Sequence, residues 1–188
     1  KEGIVKPDGI DLTVLTHMDS TTRHWRFLRN QEFHMAELSG AAYISACDKG
    51  LPFTALPVFL HRRFRHGFIF INTTKGIKKP TDLIGRRIGV HSLQATAILW
   101  MRGILEEEYG VPQNEVNWVS GKAEEIPFTP PDGMPFEMAP PGRSLEDMLT
   151  DGEVDAVLHP DVIAPILEGD ERVGRLFEDY QAEELAYF

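Results

Sequence analysis

Cysteine is nearly absent. The single thiol, Cys47, excludes an internal disulfide and a zinc cluster built on cysteines. It sits in a predicted helix among Ala and Ile and reads as a core residue. Apolar runs long enough to span a bilayer are also missing. No signal peptide is visible at Lys1, so the cytoplasm is the expected compartment, or the periplasm if a leader has been removed. Positive charge is scarce: 19 Lys and Arg face 29 Asp and Glu, for a formal charge of −10. That balance argues against nucleic acid, whose phosphates need a basic surface, and against an anionic membrane surface. A small organic anion stays within reach, because a few placed guanidiniums outweigh a diffuse negative field at contact distance. The histidines lack the helical i, i+4 spacing of a metal site, so no metal is expected from His61, His66 and His91. No internal repeat is found.

What is present is a chain of 188 residues, 42% hydrophobic, enough for one large domain or two small lobes. It is organised around residues 85–103, GRRIGVHSLQATAILWMRG. Residues 86–90 read as a short buried strand and 91–94 as a polar loop. From about Ala95 the apolar residues Ala97, Trp100, Met101, Ile104 and Leu105 recur at helical spacing. A strand that runs through a short loop into a helix leaves the first helical N–H groups unpaired. With the helix dipole, those donors suit a carboxylate or phosphate. Ser92 and Thr96 add hydroxyls, Gln94 an amide, and His91 an imidazole.

A second junction of this kind is Glu37-Leu38-Ser39-Gly40, where Ser39 is the predicted cap of a helix that closes at Gly50. Before it, residues 9–15 and 33–38 read as strands. They flank a helix capped by Asp19 or Ser20, with Trp25 and Leu28 inward and Arg23, Arg26 and Arg29 outward. Residues 53–60 (FTALPVFL) and 67–72 (GFIFIN) are apolar runs of strand length, with Pro57 marking an edge or a bulge. The turn between them, His61-Arg62-Arg63-Phe64-Arg65-His66, reads either as a solvated hairpin tip or as an anion clamp. Thr81 is the predicted cap of a helical turn ended by Gly85. Residues 115–119 and 154–158 are further strands, and 122–143 is a Pro- and Gly-rich excursion with little regular structure. Ser144 opens a helix ended by Gly152. His159-Pro160 leads into another helix, and residues 176–188 form the last. Alternating strands and helices favour an α/β fold with largely parallel sheets, in which ligands bind beyond the carboxyl ends of strands. The stretch KGIKKP suggests two lobes, residues 1–75 and 76–188.

PTDLIG followed by GRRIGV resembles the opening of the second lobe in type II periplasmic-binding-protein folds. Together with PDGIDL, EFHMAELSGAAY, PFTALPVFLHRRFRHGFIFIN, ILWMRGILEEEYGV, SLEDMLTDGEVDAVLHP and RVGRLFEDY, it resembles the 4,5-dihydroxyphthalate decarboxylase family. Phe64-Arg65-His66 and the run from Trp100 to Gly103 are its most family-like pieces. The resemblance implies a two-lobed fold with a ligand cleft, here truncated. It also implies that first-lobe strands lack partners, which a second copy of the chain would supply in a homo-oligomer.

The reaction so implied is non-oxidative decarboxylation of an aromatic dicarboxylate. It needs a carboxylate anchor, a general acid at the ring carbon and an acceptor for a phenol proton, and no cofactor. Arg65 is the expected anchor, aided by Ser92, Gln94, Ala95 and Thr96, with Ser39 and Gly40 at the other end of the ring. His66 or His91 is the expected proton donor, Glu37 the acceptor and His159 a further contact. The alternative is a solute receptor of the same fold, which needs the anchors but no acid.

Overall fold

A computed structural model describes residues 4 and 6–188. They divide into two compact units, Lys1–Leu38 and Ser39–Phe188.

In the first unit the Asp19 carboxylate accepts the Thr22 N–H at 2.9 Å and caps helix α1, Ser20–Trp25. The helix continues as one wide turn, Arg26–Asn30, and ends at Gln31 in the left-handed region, φ 51°. Leu28 is buried as expected, but Trp25 is 44% exposed, with the Arg29 guanidinium 4.8 Å above its ring. Two of the arginines are engaged in ion pairs: Arg26 Nε donates to Glu32 at 2.7 Å and Arg23 pairs with Glu37. Residues 9–15 and 33–38 form no strand. Ile10, Leu12, Val14 and Leu15 lie exposed, so alternation there has no buried face to serve.

The second unit begins with helix α2, Gly40–Asp48, on which Cys47 is exposed rather than buried. Residues 53–60 are not a strand and make no hairpin. The Phe53 N–H bonds to the Leu51 carbonyl at 2.8 Å and the Val58 N–H to the Leu56 carbonyl at 2.7 Å. These are three-residue turns centred on Pro52 and Pro57, whose fixed φ suits that geometry. Each turn folds the run back on itself and withholds it from a ladder.

The sheet is built from β1 (Ile69–Asn72), β2 (Arg87–Val90), β3 (Asn117–Ser120), β4 (Phe136–Met138), β5 (Ala156–Leu158) and β6 (Val173–Arg175), in the order β4-β3-β2-β5-β1-β6. Neighbours are parallel from β4 to β5, while β1 runs against both β5 and β6. The expected parallel core is thus present, with β1 reversed among the described strands. The short strands β4 and β6 escape the sequence pattern. β4 lies between Pro135 and Pro140 in the excursion, and β6 contains Gly174.

Side chains alternate between two faces. Ile69, Ile71, Ile88, Val90, Trp118 and Leu158 pack beneath α3 (Thr96–Glu107), which turns Ile98, Met101 and Leu105 to them. Each such side chain contributes about 1.5–3 kcal/mol on full burial. Phe70, Val119 and Val157 face α4 (Leu145–Thr150), capped by the Ser144 hydroxyl on the Asp147 N–H at 3.0 Å. A Cβ at Gly89 would stand 3.0 Å from Leu145 Cδ2, so the glycine lets α4 sit close. On α3, Trp100 is 57% exposed, against expectation, whereas Arg102 is 8% exposed. The helices α5 (Ala164–Glu168) and α6 (Tyr180–Tyr187) complete the unit. Among the described residues no helix is long and apolar enough to cross a membrane.

Candidate functional site

Register places the chemistry at one edge of the sheet. Val90 pairs with Leu158, and Leu158 with Ile69. The carboxyl ends of β2 and β5 therefore lie beside the start of the reversed strand β1. Residues 91–96, 159–161 and 63–68 meet along this rim, and Ser120 of β3 joins it opposite Val90.

Both predicted junctions are here, and they touch. The Ser39 hydroxyl lies 2.7 Å from the Thr96 hydroxyl, and Thr96 Oγ1 accepts the Ala41 N–H at 3.0 Å. Ser39 occupies the cap position of α2 but its side chain bonds no amide of its own helix; Thr96, from the first turn of α3, serves instead. A Cβ at Gly40 would meet only Thr96 Oγ1, at an ordinary 3.8 Å, so the space at Gly40 does not demand glycine. These residues form a joint between helices rather than two ends of a gap.

The loop before α3 is also engaged. The Leu93 N–H donates to Glu124 Oε1 at 2.7 Å and the Gln94 N–H to Glu124 Oε2 at 3.1 Å. Ala95 stands at the helix cap, its N–H bonded to the Ser92 carbonyl at 3.3 Å. Ser92 is buried, and Gln94 Oε1 is buried with no hydrogen-bond partner among the described residues. Behind this turn Arg102 Nη1 donates to the Leu93 carbonyl at 3.3 Å, and its guanidinium lies 5.4 Å from the Trp118 ring centre.

His91 stands half-buried at the end of β2. Burial lowers its pKa to about 4, with smaller effects in the same direction from Lys122 and His159. His159 Nδ1 accepts the Asp161 N–H at 3.1 Å, while Nε2 lies 3.9 Å from Glu146. The arginine turn closes on this same corner. Arg65 Nη1 donates to the Pro160 carbonyl at 3.2 Å. Arg63 reaches the same carbonyl at 3.1 Å and the Asp161 carboxylate at 2.6 Å. The turn is therefore not a free hairpin tip.

His66 is placed differently. It is 1% exposed, and neither ring nitrogen has a partner among the described residues. The rings of Tyr109, Phe177 and Tyr187 surround it at centroid distances of 5.9, 5.3 and 5.4 Å. Burial pushes its pKa down against the pull of Glu184, Glu183 and Glu108. Glu37 belongs to the first unit, where it binds Arg23 and lies 4.0 Å from His24.

Two surface hollows lie away from this rim. One, of about 240 Å³, is lined by Arg102, Glu106, Gln113 and Asp132; the other, of about 540 Å³, by Gly85, Arg87 and Asn117. The second opens at the amino ends of the strands, where Arg87 is already paired with Glu137 at 2.6 Å. Chemistry, not volume, therefore selects the carboxyl rim. Sequence reasoning missed Lys122, Glu124 and Arg102. Arg102 had a signal, since Ile98, Arg102 and Leu105 fall on one helical face. Glu124 lies in an aperiodic loop and had none.

Comparison with known proteins adds family membership. The sequence pattern of the family described as NMT1/THI5 like matches residues 3–127. The chain is 37% identical to the 4,5-dihydroxyphthalate decarboxylase of Comamonas testosteroni over 187 residues, covering 96% of this chain and 56% of that protein. It is 35% identical to the 4,5-dihydroxyphthalate decarboxylase of Pseudomonas putida over 187 residues, covering 96% and 72%. The chain thus spans little more than half the length of the Comamonas relative.

Proposed function

The chain belongs to the 4,5-dihydroxyphthalate decarboxylase family and to the NMT1/THI5-like, periplasmic-binding-protein-like group, and from that premise we propose that it carries the carboxylate-binding rim of a non-oxidative aromatic decarboxylase. The observation that carries the reading is the Arg65 guanidinium, held at the Pro160 carbonyl beside the carboxyl ends of β2 and β5 in a chain of net charge −10.

In this reading Arg65 holds one carboxylate of a ring dicarboxylate, with the amides and hydroxyls at Ser92, Gln94, Ala95 and Thr96 nearby. The hydroxyl para to the other carboxylate feeds electron density into the ring. His91 delivers a proton to the carbon that bears this carboxylate. The bond to the carboxyl carbon then breaks, its electron pair restores the ring, and carbon dioxide leaves. His91 is neutral near pH 7 in the free protein, with its pKa at about 4. A bound dianion beside the ring favours its protonated form and raises that pKa. His159 is the candidate partner for a ligand hydroxyl, and Ser39 and Gly40 fix the helix joint behind the rim.

The second reading is a receptor for a small organic anion. The low proton affinity of His91 favours it, because a receptor needs no acid. Incubation of the protein with 4,5-dihydroxyphthalate separates the two. The enzyme releases carbon dioxide and 3,4-dihydroxybenzoate, and His91→Asn abolishes the release while calorimetric binding persists. Binding without carbon dioxide from the unaltered protein overturns the decarboxylase reading. Arg65→Ala is expected to weaken binding by at least about tenfold, the size of one lost charged hydrogen bond.

A further inference from the structure

Glu124 sits where a ligand carboxylate is expected. Its two oxygens take one amide each, from Leu93 at 2.7 Å and Gln94 at 3.1 Å, which is how a bound carboxylate would use the same pair. It arrives on a segment without regular structure, residues 121–135. Behind the turn stands Arg102, more than nine-tenths buried; its Nη2 donates to Gln113 Oε1 and only Nε is unpartnered among the described residues. Arg102 grips the Leu93 carbonyl, so guanidinium and amides share one peptide neighbourhood. Glu106 and Glu124 are the carboxylates whose fields act on it. Beside the amides, Gln94 Oε1 is a buried acceptor with nothing to accept. An unused buried acceptor next to a carboxylate cradle matches a ligand that carries a hydroxyl on the same ring as its carboxylate.

We propose that Glu124 is a resident stand-in for the ligand: an incoming aromatic carboxylate displaces it from the Leu93 and Gln94 amides, and the loop that bears it swings out as the ligand enters. This inference rests on the carboxylate-binding reading above. One carboxylate replaces another, so the two amides are never left without an acceptor. Affinity is reduced by the fraction of time that Glu124 fills the cradle, and specificity is raised against anions that bring no ring to offset the exchange.

The test uses phthalate as probe, with calorimetry and hydrogen exchange on the protein and on Glu124→Ala and Glu124→Gln. Residue 124 lies on the irregular loop, outside both clusters of the core, so truncation leaves the fold in place. Removing the resident carboxylate is expected to tighten phthalate binding by about tenfold in Glu124→Ala, with Glu124→Gln between the two. In the unaltered protein phthalate should speed exchange across residues 122–133 while the amides of 93 and 94 stay protected. In ligand-free Glu124→Ala those two amides should exchange faster, and phthalate should slow them again. Equal or weaker binding by Glu124→Ala, or a loop whose exchange ignores phthalate, overturns the exchange. If binding then still depends on Arg65, the carboxylate-binding reading survives alone; if no form binds phthalate or 4,5-dihydroxyphthalate, both fall.

Discussion

The hydroxyls of Ser39 and Thr96 lie 2.7 Å apart although 57 residues separate them. Each comes from the first turn or the cap of a different helix, and Thr96 Oγ1 also accepts the Ala41 N–H. Thr96→Val removes both bonds with little change of shape and leaves a helix-start amide without its acceptor. The expected loss is about 1–3 kcal/mol, read as a lower urea midpoint, with faster exchange confined to the start of α2. Thr96→Ser should recover most of it. A Val variant that unfolds at the same urea concentration would show that the joint contributes nothing.

A tighter contact closes the other side of the rim. A Cβ at Gly67 would stand 2.6 Å from Tyr180 Cδ2, and the Gly67 N–H donates to Glu184 at 3.2 Å. Gly67→Ala must therefore push α6 outward or turn the Tyr180 ring. The expected cost is about 1–3 kcal/mol. Because α6 carries Tyr187 against His66, which is 1% exposed, the same variant should make His66 more open to carbethoxylation by diethyl pyrocarbonate than it is in the unaltered protein. Unchanged protection of His66 in Gly67→Ala would mean that α6 does not close over it.

His66 also makes stability depend on pH. Its folded pKa lies below 6.5, chiefly through burial. Between that lowered value and 6.5 the unfolded chain binds a proton that the folded chain refuses, so stability is full above 6.5 and falls as the solution is acidified through the folded pKa. His66→Leu replaces two unpartnered nitrogens with carbon of similar volume, which is neutral or stabilising at neutral pH. The variant should lose less urea resistance than the unaltered protein between pH 7.5 and 5.5. A steeper loss in the variant would contradict the burial argument.

How much of this was legible depends on what each residue leaned on. β2 and α3 were readable because Ile88, Val90, Ile98, Met101 and Leu105 meet a core that repeats their own period. The place of residues 91–96 beyond β2 follows from the α/β pattern, since strand ends determine where the loops gather, whereas Ser39 reaches Thr96 with no strand before it. What failed was alternation without a face to bury it. Leu56, Val58, Phe59 and Leu60 look like a strand in sequence, yet two prolines turn the segment into tight bends and leave them exposed. Trp100 falls within the apolar helical spacing and Cys47 stands in a helix among Ala and Ile, yet the observed helix phase puts both outside. The free amides at Leu93 and Gln94 were predictable from the loop, but their occupant was not. Glu124 is brought there by tertiary packing of an aperiodic segment.

His91 offers the sharpest measurement of the site. Its pKa stands at about 4 in the folded protein, against about 6.5 unfolded. The sign follows as for His66: the contribution is complete above 6.5 and disappears as the pH falls toward 4. The causes are burial first, then Lys122, then His159. Lys122→Met removes the ammonium that disfavours the charged ring, so it should raise the His91 pKa seen by imidazole NMR. Phthalate should raise it further in the unaltered protein, because two carboxylates at the rim reverse the local field, and the midpoint should move toward neutrality. A His91 midpoint that ignores saturating phthalate would place the anion elsewhere, and would leave the ring carbon without its proton donor.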